Sequence, residues 1–405
     1  MEYLAVAEYC FADHPGGAPR VAWDIAKAMR DRGHSVTFLC YRQGNAPVGI
    51  AEVDGIRVVR FDKSERPAWH PKRMEAIVDS ARAGFQCWLG DQRFDVVHVH
   101  APLQGLGVYA ALGGDEGGAS PRYVYTAHSP LVLEQEIIWR SQGWAGRLKL
   151  LFGRAMLADA ERRMLNAAAQ IHTLSEFTRT KLDEAYGTRA RTTVIPHWYA
   201  RINQGISRDE ARKRLGWPAN AKIFFTVRGM GPRYGVDIAI RALAPLLTEY
   251  GGHFFLAGDG VLRPKLQALA ETMDSEGRMH FMGRVSDRDL ELAYAAADLF
   301  ILPTLALECF GLITLEAFAF GCPVLATDVG AIPESMVPVL ADLLVPAGDV
   351  DALRDVARRF LNGEIKVPDG RTLIEFAAGR YGAPVVIPQL CRLLEAPPLA
   401  GGGGS

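Results

Sequence analysis

The length of the chain, 405 residues, exceeds what one hydrophobic core usually supports, so two domains are predicted. The formal net charge of −1 argues against a nucleic-acid-binding protein that relies on bulk charge, and no nucleic-acid partner is expected. The six cysteines include no CxxC pair, which is unlike a disulfide scaffold and favours a reducing cytoplasm.

Neither end of the sequence predicts a membrane anchor. The opening residues lack a basic n-region, and no uninterrupted apolar run approaches the ~18 residues that span a bilayer. We therefore expect a cytoplasmic protein that is neither secreted by a signal peptide nor integral to the membrane. The last five residues, 401–405, have the composition of a flexible expression linker.

The first elements predict a βαβ opening. A short apolar strand, a loop with Gly16 and Gly17, a helix and a second strand follow one another from Tyr3 to Cys40. Two adjacent glycines at a helix entrance let the backbone approach a ligand closely, and Arg20 on the first turn can reach an anion. The alternative is that the glycines only form a turn.

Histidines follow two predicted strands of the first half. His98 and His100 alternate along a buried strand at 94–100 and so point to one face, but a metal site needs a third ligand and none is obvious nearby. His98 is therefore predicted to be a core residue, whereas His100 at the strand's end can face a ligand. A second strand, 123–127, ends directly before His128.

A basic and aromatic stretch at 136–165 is predicted to be helical. Its arginines and lysine are interleaved with tryptophan, leucine and phenylalanine, a composition that can dock on anionic lipid headgroups or on an anionic acceptor. A solvated charged face on a core-packed helix explains the same pattern. Peripheral contact with the inner face of the membrane is therefore one of two interpretations.

The second half begins after a linker. Hydrophobic periodicity is lost after Pro196, which places an interdomain linker at 197–207. A short helix and a strand then lead into a glycine-rich loop that carries Arg228 and Arg233. Two cations around such a turn suit a diphosphate, because arginine offers forked donors and glycine allows close approach.

The Asp-x-Asp sequence at 349–351 is not predicted to bind metal. It opens an apolar helix, so Asp349 is predicted as the N-cap and Asp351 as a partner of the helix dipole. No metal ion and no other cofactor is expected.

The segment 303–323 is where we expect the chemistry. Apolar runs flank it, so it predicts a strand, loop, helix and strand, with the loop at the edge where parallel sheets bind ligands. The amides that open the helix at Gly311 and Leu312 suit phosphate. Glu308 precedes the helix and Glu316 lies about a turn inside it. The alternative is a buried helix with one satisfied and one solvated glutamate.

This motif carries a family resemblance. Glu308-x7-Glu316, with Phe-Gly after the first glutamate and Gly-Cys-Pro-Val closing the helix, resembles the signature of the retaining family-4 glycosyltransferases, which have the GT-B fold. The resemblance implies that Glu308 contacts the donor sugar near its reacting centre and that Glu316 holds the ribose hydroxyls. It also implies that His128 contacts the sugar, so Glu308 and His128 are the expected catalytic residues.

The same resemblance implies three further groups of site residues. The donor diphosphate is expected to bind to Arg228, Arg233, Gly311, Leu312 and Gly17. The nucleobase is expected to lie against Arg284 and Val285. The acceptor side is expected to include Gly16, Arg20 and His100. The chain departs from the family pattern where Gly229 stands in the place of an arginine and His197-Trp198 in the place of Asn-Gly. Restoring the side chain in Gly229→Arg is expected to strengthen donor binding.

The predicted fold is α/β of the GT-B type, with two doubly wound Rossmann-like domains facing across a cleft. The predicted segments are an acceptor-side domain at 1–196, the linker at 197–207, a nucleotide-sugar domain at 208–383 and a helix at 384–398 that crosses back onto the first domain.

The function implied by the resemblance is transfer of a sugar, with retention, from a nucleotide-sugar such as a UDP- or GDP-sugar to a glycan, lipid or small-molecule hydroxyl, forming an α-glycosidic bond. The alternatives are a GT-B sugar-nucleotide epimerase and a degenerate, non-catalytic nucleotide-sugar-binding protein. An NAD-dependent dehydrogenase is disfavoured, because no Gly-x-Gly-x-x-Gly follows the first strand.

Overall fold

The computed structural model describes residues 1–14, 16–64, 72–114, 121–140, 143–199, 201–273 and 276–396. The predicted expression linker at 401–405 and the end of the predicted crossover segment, 397–398, lie outside this set. The chain divides into two compact units, the first made of Met1–Ile195 and the chain from Ile387 onward, the second of Pro196–Val386. Among the described residues, no helix is both long and apolar enough to cross a bilayer.

The first unit is built on one mostly parallel sheet. Its strands are β1 Glu2–Tyr9, β2 Ser35–Tyr41, β3 Gly49–Val53, β4 Ile56–Phe61, β5 Val96–Val99, β6 Arg122–Ala127, β7 Gln170–Thr173 and β8 Thr192–Val194. Their order is β3-β4-β2-β1-β5-β6-β7-β8, and only β3 pairs antiparallel with its neighbour. The strand order reverses between β1 and β5, the switch point near which such sheets bind ligands.

Helices cover this sheet, which is why its strands are apolar. They are α1 Gly17–Asp31, α2 Arg73–Leu89, α3 Pro102–Ala111, α4 Leu131–Arg140, α5 Gly143–Ala167 and α6 Glu176–Tyr186. Every residue of β5 and β6 is buried, as expected of parallel strands covered on both faces.

The second unit has a fully parallel sheet of six strands within the described residues. The strands are β9 Ile223–Val227, β10 His253–Ala257, β11 Met279–Gly283, β12 Leu299–Leu302, β13 Val324–Thr327 and β14 Leu344–Val345, in the order β11-β10-β9-β12-β13-β14. The helices are α7 Arg208–Leu215, α8 Val236–Tyr250, α9 Arg263–Met273, α10 Asp287–Ala296, α11 Leu312–Ala319, α12 Ile332–Leu340, α13 Val350–Leu361 and α14 Gly370–Tyr381.

Side-chain caps fix several helix starts, one of them where the sequence predicts it. The hydroxyl of Ser175 accepts from the amide of Thr178, and Ser286 caps α10 in the same way. Asp349 accepts from the amides of Asp351 and Ala352 at 3.1 and 2.9 Å. The prediction that Asp349 is an N-cap is therefore confirmed.

The helical stretch predicted at 136–165 is divided between two helices, and one further element was missed. Helix α4 ends at Arg140 and α5 begins at Gly143, while residues 141–142 lie outside the described set. The hairpin of β3 and β4 was not predicted. Its turn residues, Asp54 and Gly55, have φ of 48° and 72°, as a type I′ turn requires, and Asp-Gly between apolar runs was an available signal.

The segment predicted as a linker packs on the second unit. The amide of Asn203 donates to the carbonyl of Ala319 at 3.0 Å. Arg201 bridges Asp287 and Glu291 of α10 at 3.0 and 2.6 Å. These contacts fix residues 201–203 of the predicted linker on α10 and α11.

The last described helix, α15 Ala383–Glu395, joins the first unit from Ile387 onward. The guanidinium of Arg122 donates to the carbonyls of Leu393 and Leu394 at 2.8 and 2.5 Å. Glu395 accepts from Arg32 at 2.7 Å and contacts His34 at 2.9 Å. A buried cation on terminal carbonyls and an ion pair therefore fix the last turn, and the predicted crossover helix is confirmed.

Candidate functional site

The segment 303–323 forms the strand, loop, helix and strand that the sequence predicts. The loop leaves β12 at its carboxyl end, and α11 begins at Leu312 with Gly311 in the left-handed conformation as its N-cap. No side chain caps this helix. The first amides of α11 can therefore donate hydrogen bonds to an anion, the role predicted for Gly311 and Leu312.

Glu308 in this loop is paired with a cation rather than left in solvent. Nη2 of Arg228 donates to Oε2 of Glu308 at 2.9 Å and to the hydroxyl of Thr304 at 2.7 Å. The Arg228 side chain is only 8% exposed and that of Glu308 20%. The carboxylate and the guanidinium thus form a largely desolvated pair at the carboxyl ends of β9 and β12.

The backbone of Glu308 is held from both sides. Its carbonyl accepts from the amide of Ala331 at 2.7 Å. A Cβ on Gly330 would lie 2.1 Å from that carbonyl oxygen, so only glycine permits this approach. Leu307, the residue before, has a φ of 51°, a strained value for leucine, and its carbonyl accepts from Arg233 at 3.0 Å. Backbone strain of the kind seen at Leu307 clusters at functional sites.

The two predicted phosphate-binding arginines share one aromatic ring. The guanidinium carbons of Arg228 and Arg233 lie 4.7 and 4.9 Å from the centre of the Tyr234 ring. Nε of Arg228 is buried without a hydrogen-bond partner in the described part of the chain. The structure therefore gathers both arginines at the loop that carries Glu308, on the ring of Tyr234.

This ring also explains why residue 229 is glycine. A Cβ on Gly229 would lie 2.9 Å from Cε2 of Tyr234, too close for the ring to stay where it is. The expectation that Gly229→Arg adds a contact therefore conflicts with the position of Tyr234, whose ring would have to move. Tyr234 fills the space in which a side chain at 229 would stand.

We now predict that Gly229→Arg weakens donor binding by about 2- to 30-fold, because displacing Tyr234 forfeits stacking worth roughly 0.5–2 kcal/mol. Calorimetry with a UDP- or GDP-sugar measures the change. Gly231→Ala in the same loop is the control, since its Cβ would lie 3.5 Å from the ring, an ordinary contact. Tighter donor binding by Gly229→Arg would restore the earlier expectation.

Glu316 lies in the second turn of α11 and is 6% exposed. Its Oε2 accepts from the hydroxyl of Tyr294 at 2.9 Å. Burial, together with the neighbouring Glu316 carboxylate, raises the pKa of Tyr294 well above its usual value, so the phenol remains protonated and donates. Tyr294 therefore holds the carboxylate of Glu316 in a buried position.

The predicted nucleobase residues lie at a neighbouring strand end. Arg284 and Val285 directly follow β11, Arg284 exposed and Val285 half-buried. Two strands separate β11 from β12 in the sheet. The structure therefore places these residues on the same sheet edge as Glu308 but not in contact with its loop.

In the first unit, the predicted glycine loop leads into α1. Gly16 is the N-cap and Gly17 the first helical residue, and a Cβ on Gly17 would meet nothing within 4 Å. Packing in the described residues therefore does not require Gly17. The guanidinium of Arg20 stacks on Phe11 at 4.7 Å, and a buried ion pair between Asp13 and Arg60 at 2.6 Å ties the loop to β4.

His100 and His128 follow β5 and β6 and are brought together. Nδ1 of His100 lies 3.1 Å from Nε2 of His128, and the rings stack with centres 5.3 Å apart. His100 is buried and His128 half-buried. The pair therefore presents His128 at the edge of the sheet near the switch point between β1 and β5.

His98 is a core residue, as predicted, and belongs to a buried row of hydrogen bonds. Nε2 of His172 donates to the carbonyl of Ile195 at 2.8 Å, and its Nδ1 lies 2.8 Å from the hydroxyl of Thr126. Thr126 then accepts from His98, whose Nδ1 accepts from Tyr3. Burial lowers the pKa of His98 well below its usual value, which agrees with a neutral ring.

Metal ligands are not grouped in the part of the chain that the structure describes, where no cluster of three or more His, Cys, Asp or Glu could hold an ion. Sequence reasoning missed three residues of the second unit: Thr304, Tyr234 and Tyr294. Each of them contacts another site residue either across a large sequence separation or by packing of its ring. Neighbouring residues in the sequence give no signal for such contacts.

Both units of the chain match models of glycosyltransferase families. A family model described as Glycosyl transferases group 1 matches residues 207–377, and one described as Glycosyl transferase 4-like domain matches residues 16–198. A phosphatidyl-myo-inositol mannosyltransferase of Mycobacterium leprae is 25% identical over 405 residues, which cover 98% of this chain and 96% of the relative. A D-inositol 3-phosphate glycosyltransferase of Mycolicibacterium smegmatis is 28% identical over 279 residues, which cover 67% of this chain but only 60% of that relative.

Solved structures share the whole fold. Sucrose-phosphate synthase from Thermosynechococcus elongatus has a TM-score of 0.80 at 19% identity and covers 98% of each chain. Anabaena HepE in complex with UDP-glucose has a TM-score of 0.73 at 19% identity, covering 97% of this chain and 99% of HepE. With both units matched by family models and the fold matched end to end, the chain belongs to the family-4 glycosyltransferases, which have the GT-B fold.

Proposed function

We propose that the enzyme transfers a sugar from a nucleoside-diphosphate sugar to a hydroxyl acceptor, with retention of configuration, to form an α-glycosidic bond. The observation that carries the proposal is the loop before α11, where Arg228 pairs with the carboxylate of Glu308 and Arg233 donates to the carbonyl of Leu307, a few residues before the start of α11. The complex of HepE with UDP-glucose supports a nucleotide-sugar donor for a chain of this fold.

The chemistry requires the leaving diphosphate to be stabilised while positive charge develops on the sugar ring. In the proposed mechanism, Arg228, Arg233 and the first amides of α11 bind the diphosphate. Glu308 lies against the sugar ring, where its negative charge favours the developing cation. Glu316 binds the ribose hydroxyls, and His128 hydrogen-bonds to the sugar.

The acceptor is proposed from the relatives' names. Those relatives are a mannosyltransferase of phosphatidyl-myo-inositol and a glycosyltransferase of D-inositol 3-phosphate. We infer a polyol-like hydroxyl acceptor, on a glycan, a lipid or a small molecule. The proposed donor is a hexose nucleotide, which makes the enzyme a hexosyltransferase.

A donor screen tests the function. The enzyme is incubated with UDP-, GDP- and ADP-hexoses, with and without inositol phosphate or phosphatidylinositol, and nucleotide release and product mass are followed. Transfer predicts release that increases with acceptor and a product heavier by one hexose. Nucleotide release that yields a free epimerised sugar without any acceptor favours the epimerase alternative. Binding without turnover favours the non-catalytic alternative.

We propose that turnover needs no divalent metal, and predict unchanged initial rates after treatment with EDTA. The arginines and helix amides supply the positive charge that a metal would otherwise provide, and Asp349 of the Asp-x-Asp sequence is used as an N-cap. Rates are measured before and after chelation and after adding manganese. Loss of turnover in EDTA that manganese restores would contradict the prediction.

We also propose that the enzyme is cytoplasmic and that α4 and α5 contact the inner face of the membrane. Ile138, Trp144 and Met156 are 43%, 78% and 42% exposed, and the side chains of Arg140 and Arg154 are 72% and 65% exposed. Exposed apolar groups beside cations suit an anionic bilayer. Co-sedimentation with phosphatidylglycerol vesicles, but not phosphatidylcholine vesicles, and its reduction by Trp144→Ala test this contact.

A further inference from the structure

The hydroxyl of Thr304 occupies a central position beside Glu308. Thr304 is 1% exposed and lies two residues beyond β12. Its hydroxyl accepts from Nη2 of Arg228 at 2.7 Å, and its carbonyl accepts from the hydroxyl of Thr327 at 2.6 Å. Arg228 follows β9 and Thr327 ends β13, so these bonds connect three neighbouring strand ends.

The bond to Thr304 determines where the guanidinium points. Nη2 of Arg228 has two N–H groups, and its two acceptors are the Thr304 hydroxyl and the Glu308 carboxylate. Because the guanidinium is planar, fixing one of these directions fixes the other. Tyr234 covers one face of the same group. Without the hydroxyl, a largely buried cation would lose an acceptor and could turn away from Glu308.

We propose that Thr304 is a positioning residue for the reaction: its hydroxyl aims Arg228 at Glu308 and so holds that carboxylate where the donor sugar is to lie. This inference rests on the proposed function of Glu308. Thr304 acts through Arg228 and makes no contact with the sugar. Its loss therefore affects the chemical step through the position of Glu308, and donor binding through the contact of Arg228 with the diphosphate.

Thr304→Val is the test variant, because it keeps the shape of the side chain and removes only the hydroxyl. Thr304→Ser restores the hydroxyl and serves as the rescue. Thr226→Val is the matched control. Thr226 lies on β9 two residues before Arg228, is 1% exposed, and its hydroxyl has no hydrogen-bond partner among the described residues.

With the donor found in the screen, Thr304→Val is expected to lower kcat by roughly 10- to 100-fold, the effect of one charge-assisted hydrogen bond. The donor KM should rise as well, because Arg228 is also proposed to bind the diphosphate. Thr304→Ser and Thr226→Val should keep kcat within about threefold of the wild type. Unchanged kcat in Thr304→Val would overturn the proposal. So would an equal loss in Thr226→Val, since that would show only a packing defect.

A crystal structure of Thr304→Val tests the same inference without turnover. The proposal predicts that Arg228 moves and that its contact with Glu308 is lost. An Arg228–Glu308 contact that remains as in the wild type would overturn the positioning role, even if no donor is turned over. If the wild type transfers no sugar, the proposed function fails, while this structural result still decides the role of Thr304.

Discussion

Glu308→Gln is expected to reduce kcat by about 10²- to 10³-fold, the usual effect of removing one electrostatic group that stabilises a transition state. The amide keeps the shape of the side chain and can still accept from Arg228. It cannot supply the negative charge that favours a developing cation on the sugar. Donor affinity should change far less than turnover, because an interaction used mainly in the transition state lowers kcat without a matching change in binding.

Initial rates and calorimetry on the same Glu308→Gln preparation separate the two quantities. The unfolding temperature of Glu308→Gln shows whether the variant remains folded when Arg228 has lost its negatively charged partner. Arg42 and Asp62 form an exposed ion pair at 2.7 Å in the first unit, so Asp62→Asn is the control for simple loss of a charge pair. A fall in donor affinity as large as the fall in kcat would identify Glu308 as a binding residue instead.

Glu316→Ala is expected to weaken nucleotide binding by roughly 10- to 100-fold, because a carboxylate on ribose hydroxyls makes charge-assisted bonds worth roughly 1.5–3 kcal/mol. The truncation also leaves the hydroxyl of Tyr294 buried without its acceptor, so some loss of stability should accompany it. Glu316→Gln avoids that loss, since its amide oxygen can still accept from Tyr294. It should retain an intermediate affinity.

Calorimetry with the free nucleotide measures this effect without turnover. Tyr294→Phe is the companion variant, because it removes the donor that orients Glu316 and leaves the carboxylate in place. Its effect on affinity should be smaller than that of Glu316→Ala. Affinity unchanged in Glu316→Ala would remove Glu316 from the ribose site.

The order of elements in each unit was predictable because strands buried on both faces appear as apolar runs and helix starts carry local caps. The strand at β12, the helix α11 and the cap at Asp349 all follow from neighbouring residues. The hairpin turn at Asp54 and Gly55 carries a local signal as well, the Asp-Gly pair between two apolar runs. Local chemistry therefore accounts for most of the secondary structure.

The contacts within the candidate site were not predictable in the same way. Arg228 and Glu308 are 80 residues apart, and they meet because β9 and β12 are neighbours in the sheet. The packing of Tyr234 over Gly229 depends on a side-chain rotamer, so the sequence pattern suggested a missing contact where the structure has a filled space. The docking of Asn203 on α11 likewise depends on tertiary packing.

The most direct test of the central claim, retaining sugar transfer, is the anomeric configuration of the product. The enzyme is supplied with the α-linked nucleotide-hexose found in the screen and its acceptor, and the anomeric signals of the initial product are read by NMR before any chemical equilibration. The account predicts an α-glycoside from an α-donor. A β-glycoside as the initial product, or loss of donor with no glycoside formed in the presence of acceptor, would contradict it.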